Sequence, residues 1–135
     1  MEDEKFKEFL MAVKGDGDDE ATWERRELEV KRHIRELIET EFQSISMNKK
    51  KILVSITNKL REKALGSARM QAKVADQDYG IVYINRSNWK KAEFDDSMLR
   101  QIIRHELLHI ETGLGDSSPT FQRIARANGI PLSPY

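Results

Sequence analysis

The sequence predicts an α+β domain in which a small antiparallel or mixed sheet of about three strands packs against a layer of helices. Three observations carry this prediction. Apolar residues recur at helical spacing on both sides of the chain's middle, in Trp23, Val30, Ile34, Leu37, Ile38 and Ile45 and again in Leu99, Ile102, Ile103, Leu107 and Ile110. Between them lie three short runs with strand character, residues 52–57, 67–75 and 81–85. The length, 135 residues, gives room for one buried core and not for two.

In chain order, residues 2–14 carry Phe6, Phe9, Leu10 and Val13 on one helical stripe, which predicts a short amphipathic helix. Residues 15–20, GDGDDE, read as an acidic connector, so residues 1–20 form an N-terminal appendage and residues 21–135 a single domain. Thr22 opens a long helix expected to run to about Ile45, with a solvated face of opposite charges at three- and four-residue spacing. His33 lies among those charges with no spaced partner and reads as a surface histidine. After a basic break, residues 52–57 (ILVSIT) form a buried strand, while residues 58–65 suit either a helical turn or a loop. Residues 67–75 place Ala68, Met70, Ala72 and Val74 to one side, residues 76–80 form a turn, and residues 81–85 give the clearest strand. These two runs make an antiparallel hairpin beside the first strand. Asp95, Asp96 and Ser97 offer acceptors for the start of the next helix, and Gly113 suits its left-handed stop. Pro119 behind Ser118 opens a last helix that Gly129 ends, followed by an extended tail.

Composition narrows the chemistry. Lysine plus arginine and aspartate plus glutamate both number 23, so there is no global electrostatic case for nucleic acid or an anionic membrane. Cysteine is absent, which leaves only histidine and carboxylate as metal ligands. The acidic N-terminus lacks the order of a signal peptide, and no apolar run nears the roughly 20 residues of a membrane span. A cytoplasmic location is the default expectation.

The helix from Leu99 contains His105-Glu106-Leu107-Leu108-His109, the pattern H-E-x-x-H. Residues four apart share a helix face, so both imidazoles can aim at one Zn²⁺. Glu106, about 100° round the helix from His105, is directed as a general base toward water activated by the metal rather than as a ligand. A third ligand is needed. Glu111 faces away, whereas Asp116 follows Gly113 and Gly115, which let the chain reverse and return a carboxylate to the metal. Asp116 is therefore the expected third ligand, with carboxylates upstream of the motif left open; its alternative role is to cap the following helix or stand exposed in a turn. Tyr79, Tyr83, Arg123 and Tyr135 are candidate oxyanion donors, and the strand at 81–85, if at the sheet edge, could align an extended peptide. The rival reading is an interaction protein that keeps a zinc helix for stability and binds through residues 22–45. Glu106 speaks against it, because ligation alone does not require that carboxylate.

From about residue 52 to 130 the layout resembles the SprT-like (Spartan-type) zinc metalloprotease domain: strands lead into LRQIIRHELLH, a glycine-containing loop follows, then SPTFQRIARANGI. The resemblance implies a zincin-like metalloprotease, with Zn²⁺ as cofactor, peptide or protein as substrate and hydrolysis of a peptide bond. In that family the third ligand is usually a histidine four residues before the phenylalanine of the last helix. That phenylalanine is Phe121, and the matching position is Ser117, next to Asp116. Either Asp116 has taken over, or metal affinity is reduced, or the copy is degenerate. The action of some members on DNA-bound proteins is not carried over, since no basic module accompanies the match.

Overall fold

The computed structural model describes residues 19–132. The helix expected over residues 2–14, most of the acidic connector and Tyr135 lie outside them. The described chain runs α1 (Glu20–Thr40), α2 (Gln43–Met47), β1 (Lys51–Thr57), β2 (Gly66–Val74), β3 (Gln77–Asn85), α3 (Arg86–Ala92), α4 (Asp96–Thr112) and α5 (Pro119–Ala127). The sheet order is β1-β3-β2, with β1 parallel and β2 antiparallel to β3. The result is the α+β class expected, with a mixed three-stranded sheet.

Alternation along β3 assigns the two faces. Val82 and Ile84 are wholly buried against the helices, together with Leu99, Ile102, Ile103 and Leu107 of α4 and Val30 and Leu37 of α1. Two glycines let α4 settle onto the strands. A Cβ at Gly80 would come within 2.7 Å of Ile110 Cγ2, and one at Gly66 within 2.9 Å of Ile102 Cγ2. Side chains on either would lift α4 off the sheet.

Several expectations need correction. The helix from Thr22 does not reach Ile45: α1 ends at Thr40, and the amides of Glu41 and Phe42 both return to the Leu37 carbonyl. That bend carries Phe42 and Ile45 inward, both 2% exposed. Burial of two apolar side chains ends the helix although no glycine or proline marks the place. His33 is not on the surface; it is 1% exposed, with Nε2 2.7 Å from Asp96 Oδ1 and Nδ1 accepting from Arg100 Nη1 at 3.2 Å. Its partners come from α4, more than sixty residues away, so its charged sequence neighbours disguised a buried link between α1 and α4.

The turn at 76–80 is tighter than expected. Ala75 and Asp76, with φ of 50° and 67°, close a two-residue hairpin, and β3 already begins at Gln77. Residues 58–65 form a loop, pinned where Asn85 Nδ2 donates to the carbonyls of Arg61 and Ala64 and Asn88 Nδ2 to those of Glu62 and Ala64. The strand at 81–85 is central and not an edge, since β3 pairs on both sides. α3, unforeseen in the sequence, buries Trp89 between Trp23 and Phe94.

Candidate metal centre

The site is built on α4. Asp95 caps its start by accepting from the Met98 amide at 2.7 Å, and Gly113, at φ 69°, ends it in the left-handed region. His105 and His109 therefore sit one turn apart on a helix fixed at both ends. Each ring is also oriented from its far side. His105 Nδ1 lies 2.7 Å from the Pro131 carbonyl and His109 Nδ1 2.6 Å from the Leu114 carbonyl. A carbonyl only accepts, so both Nδ1 atoms carry a proton, and in the neutral ring each Nε2 presents its lone pair inward.

Those lone pairs meet a carboxylate. Asp116 Oδ1 stands 3.0 Å from His105 Nε2 and 2.8 Å from His109 Nε2, and the two Nε2 atoms are 3.2 Å apart. Three electron-rich atoms at this spacing repel one another unless a cation lies among them. Ligands on a tetrahedral zinc at roughly 2.0–2.1 Å stand about 3.3 Å apart, close to what is seen. Among the described residues, His105, His109 and Asp116 are the group able to hold a metal ion, and their donor set fits one. Asp116 does not cap α5; Ser118 does, accepting from the Phe121 amide. Glu111 faces away, as expected, and accepts from Ser44 of α2 at 2.8 Å.

Glu106 is 2% exposed, and its Oε2 has no hydrogen-bond partner. Burial, and secondly the negative charge of Asp116, push its pKa up to about 8. The carboxyl lines a cleft of about 500 Å³ together with the two imidazoles and Asp116. Gly66, Ser67, Ala68 and Met70 of β2 line it, as do Lys59 and Arg61 of the pinned loop.

A family model described as "Putative phage metallopeptidase" matches residues 21–128. The chain belongs to this metallopeptidase family. Searches of curated proteins and of solved structures gave no match. The family match covers α1 to α5 and so includes every part of the centre except the Pro131 carbonyl.

The structure brings His105, His109 and Asp116 into one group, and Glu106 lines the same cleft. It does not bring the suggested oxyanion donors with them. Tyr79 and Tyr83 alternate with the helix-facing Gly80, Val82 and Ile84, so they point to the opposite side of the sheet. Arg123 is exposed on α5 and reaches Thr120. Tyr135 is outside the described residues.

Three supports went unread in the sequence. Phe121, wholly buried, stacks on His109 with ring centres 4.1 Å apart and planes 5° apart, and meets His105 edge-on at 5.4 Å. The carbonyls of Leu114 and Pro131 set the imidazole tautomers. Arg104 holds the turn that delivers Pro131, donating to the Asn128 and Gly129 carbonyls while bound to Glu41. Backbone acceptors leave no residue signature, and Phe121 entered the sequence reading only as the landmark phenylalanine of the last helix.

Proposed function

We propose that this chain is a zinc-dependent peptidase in which His105, His109 and Asp116 hold Zn²⁺ and Glu106 carries the proton. The observation that supports it most is the convergence of two imidazole lone pairs and a carboxylate oxygen beside a buried carboxyl with an unpartnered oxygen, all facing one cleft. A metal bound there would supply Lewis acidity, polarising a carbonyl and making water a better acid. Glu106 takes the proton from the attacking water at its carboxylate and returns it to the departing amine, so that one group serves as base and then as acid. Burial of that carboxyl keeps competing water away from the proton it holds. The Nδ1 bonds to the Leu114 and Pro131 carbonyls keep both imidazoles aimed with Nε2 toward the cleft.

Since β3 is internal, alignment of an extended peptide passes to β2, the outer strand that walls the cleft. Lys59 or Arg61 takes the oxyanion role vacated by the tyrosines. The SprT-like layout of residues 52–130 supports the finer assignment, with Asp116 standing for the family histidine next to Ser117. On this reading the partner is a peptide or protein and the place of action the cytoplasm. Balanced charge gives no electrostatic case for nucleic acid as the partner, and among the described residues no helix is long and apolar enough to cross a membrane.

The test is hydrolysis of an unfolded protein by zinc-loaded chain. Glu106→Gln should retain the metal and lose turnover, and a chelator should stop the parent reaction. Undiminished turnover by Glu106→Gln would overturn the assignment of Glu106.

A further inference from the structure

The helices of the described chain pack on one side of the sheet, and the other side carries an apolar patch among polar positions. Register places Leu53 opposite Ile81 and Ser55 opposite Tyr83 on β1, and Arg69 opposite Ile81 and Ala72 opposite Tyr79 on β2. Leu53, Ile81, Tyr79 and Tyr83 thus share one patch across the strands, away from the core. Leu53 is 43% exposed. An antiparallel or mixed sheet that leaves one face to water normally carries polar residues there, as Lys51, Ser55, Thr57, Ser67 and Arg69 do, and the patch interrupts that pattern at the centre of the sheet.

We propose that residues 2–14 of this same chain cover that face as an amphipathic helix, making a third layer. Four observations select this occupant. The segment carries Phe6, Phe9, Leu10 and Val13 on one helical stripe, which needs an apolar surface to bury. It enters the domain in the right place: Glu20 and Trp23, in the first turn of α1, share a cavity with Val54, Ser55 and Ile56 of the outer strand β1. Residues 15–19 between them span up to about 17 Å when extended, enough to round one strand edge. A thirteen-residue helix is about 20 Å long, and the seven residues of β1 extend about 23 Å.

Charge agrees as well. Lys51 and Arg69 stand on the patch side, and none of the strand positions facing that side is acidic. Glu2 and Asp3 continue the Phe6 stripe one turn earlier, bringing carboxylates to the face that carries the two cations.

The experiment is hydrogen exchange by mass spectrometry on the full chain, with urea unfolding and sedimentation alongside. Amides of residues 5–13 should exchange at least about tenfold more slowly than unstructured-chain rates. Phe6→Glu with Phe9→Glu should abolish that protection and lower the urea midpoint. Leu53→Asp, or Ile81→Lys as a second choice, should abolish the same protection from the other side of the contact. Combining the two sets should lower the midpoint no further than the worse set alone. Exchange of residues 5–13 at unstructured rates would overturn the proposal, as would protection that survives Leu53→Asp. So would additive losses. A dimer that Leu53→Asp dissolves and the Phe6/Phe9 changes leave intact would mean that a second copy covers the face.

Discussion

Removing the charge of Glu106 should make the metal-free protein more stable, by an amount that depends on pH. The folded chain holds this carboxyl at a pKa of about 8, because burial and then Asp116 disfavour the anion, against 4.5 in the unfolded chain. Between those two values the folded state keeps a proton that the unfolded state has released. Unfolding therefore becomes easier as pH rises from about 4.5 to about 8, and the effect levels off above. At about 1.36 kcal/mol per pH unit, the penalty reaches about 3 kcal/mol at pH 7. Glutamine matches the protonated acid in shape and stays neutral throughout. In chelator, Glu106→Gln should equal the parent near pH 4.5 and exceed it by about 3 kcal/mol at pH 7, equivalent to about 10 °C in Tm for a domain of this size. Urea unfolding at pH 5, 6, 7 and 8 measures the difference. Saturating zinc should shrink it, since a cation beside the carboxylate offsets the repulsion from Asp116. Parallel stability profiles for the two proteins across this range would refute the reasoning.

Other perturbations separate ligation from packing. Asp116→Ala removes a proposed ligand whose side chain is 65% exposed, so calorimetric zinc affinity should fall by more than the roughly 10–100-fold typical of outer-shell changes while urea stability holds. Phe121→Ala empties the space behind both imidazoles and should cost about 3–5 kcal/mol in urea unfolding, with zinc affinity falling too. Gly80→Ala puts a methyl 2.7 Å from Ile110 Cγ2 and should cost about 1–3 kcal/mol through displacement of α4, read as a lower urea midpoint.

What the sequence revealed follows from where each interaction lies along the chain. The metal helix was legible because its signals are local: Asp95 at the cap, Gly113 at the stop, and His105 and His109 one turn apart. Asp116 was chosen by elimination among the acidic residues after His109, and the structure sets its carboxylate beside both imidazoles. Features settled by distant partners stayed hidden. His33 is buried because Asp96 and Arg100 satisfy both ring nitrogens across sixty and more residues. The inner position of β3 could not be read from alternation, because period two is the same at an edge and in the middle. Tyr79 and Tyr83 alternate with the helix-facing Gly80, Val82 and Ile84, which turns them to the other face of the sheet. The stacking of Phe121 on His109 went unread because it leaves the same sequence pattern as any core phenylalanine.

X-ray absorption at the zinc edge of the reconstituted chain tests the central claim most directly, because it reports the atoms around the metal. The account predicts two imidazole nitrogens and a carboxylate oxygen at about 2.0–2.2 Å, with one light scatterer replaced or lost in Asp116→Ala. A chain that takes up no zinc, or a shell without imidazole scattering, would contradict it.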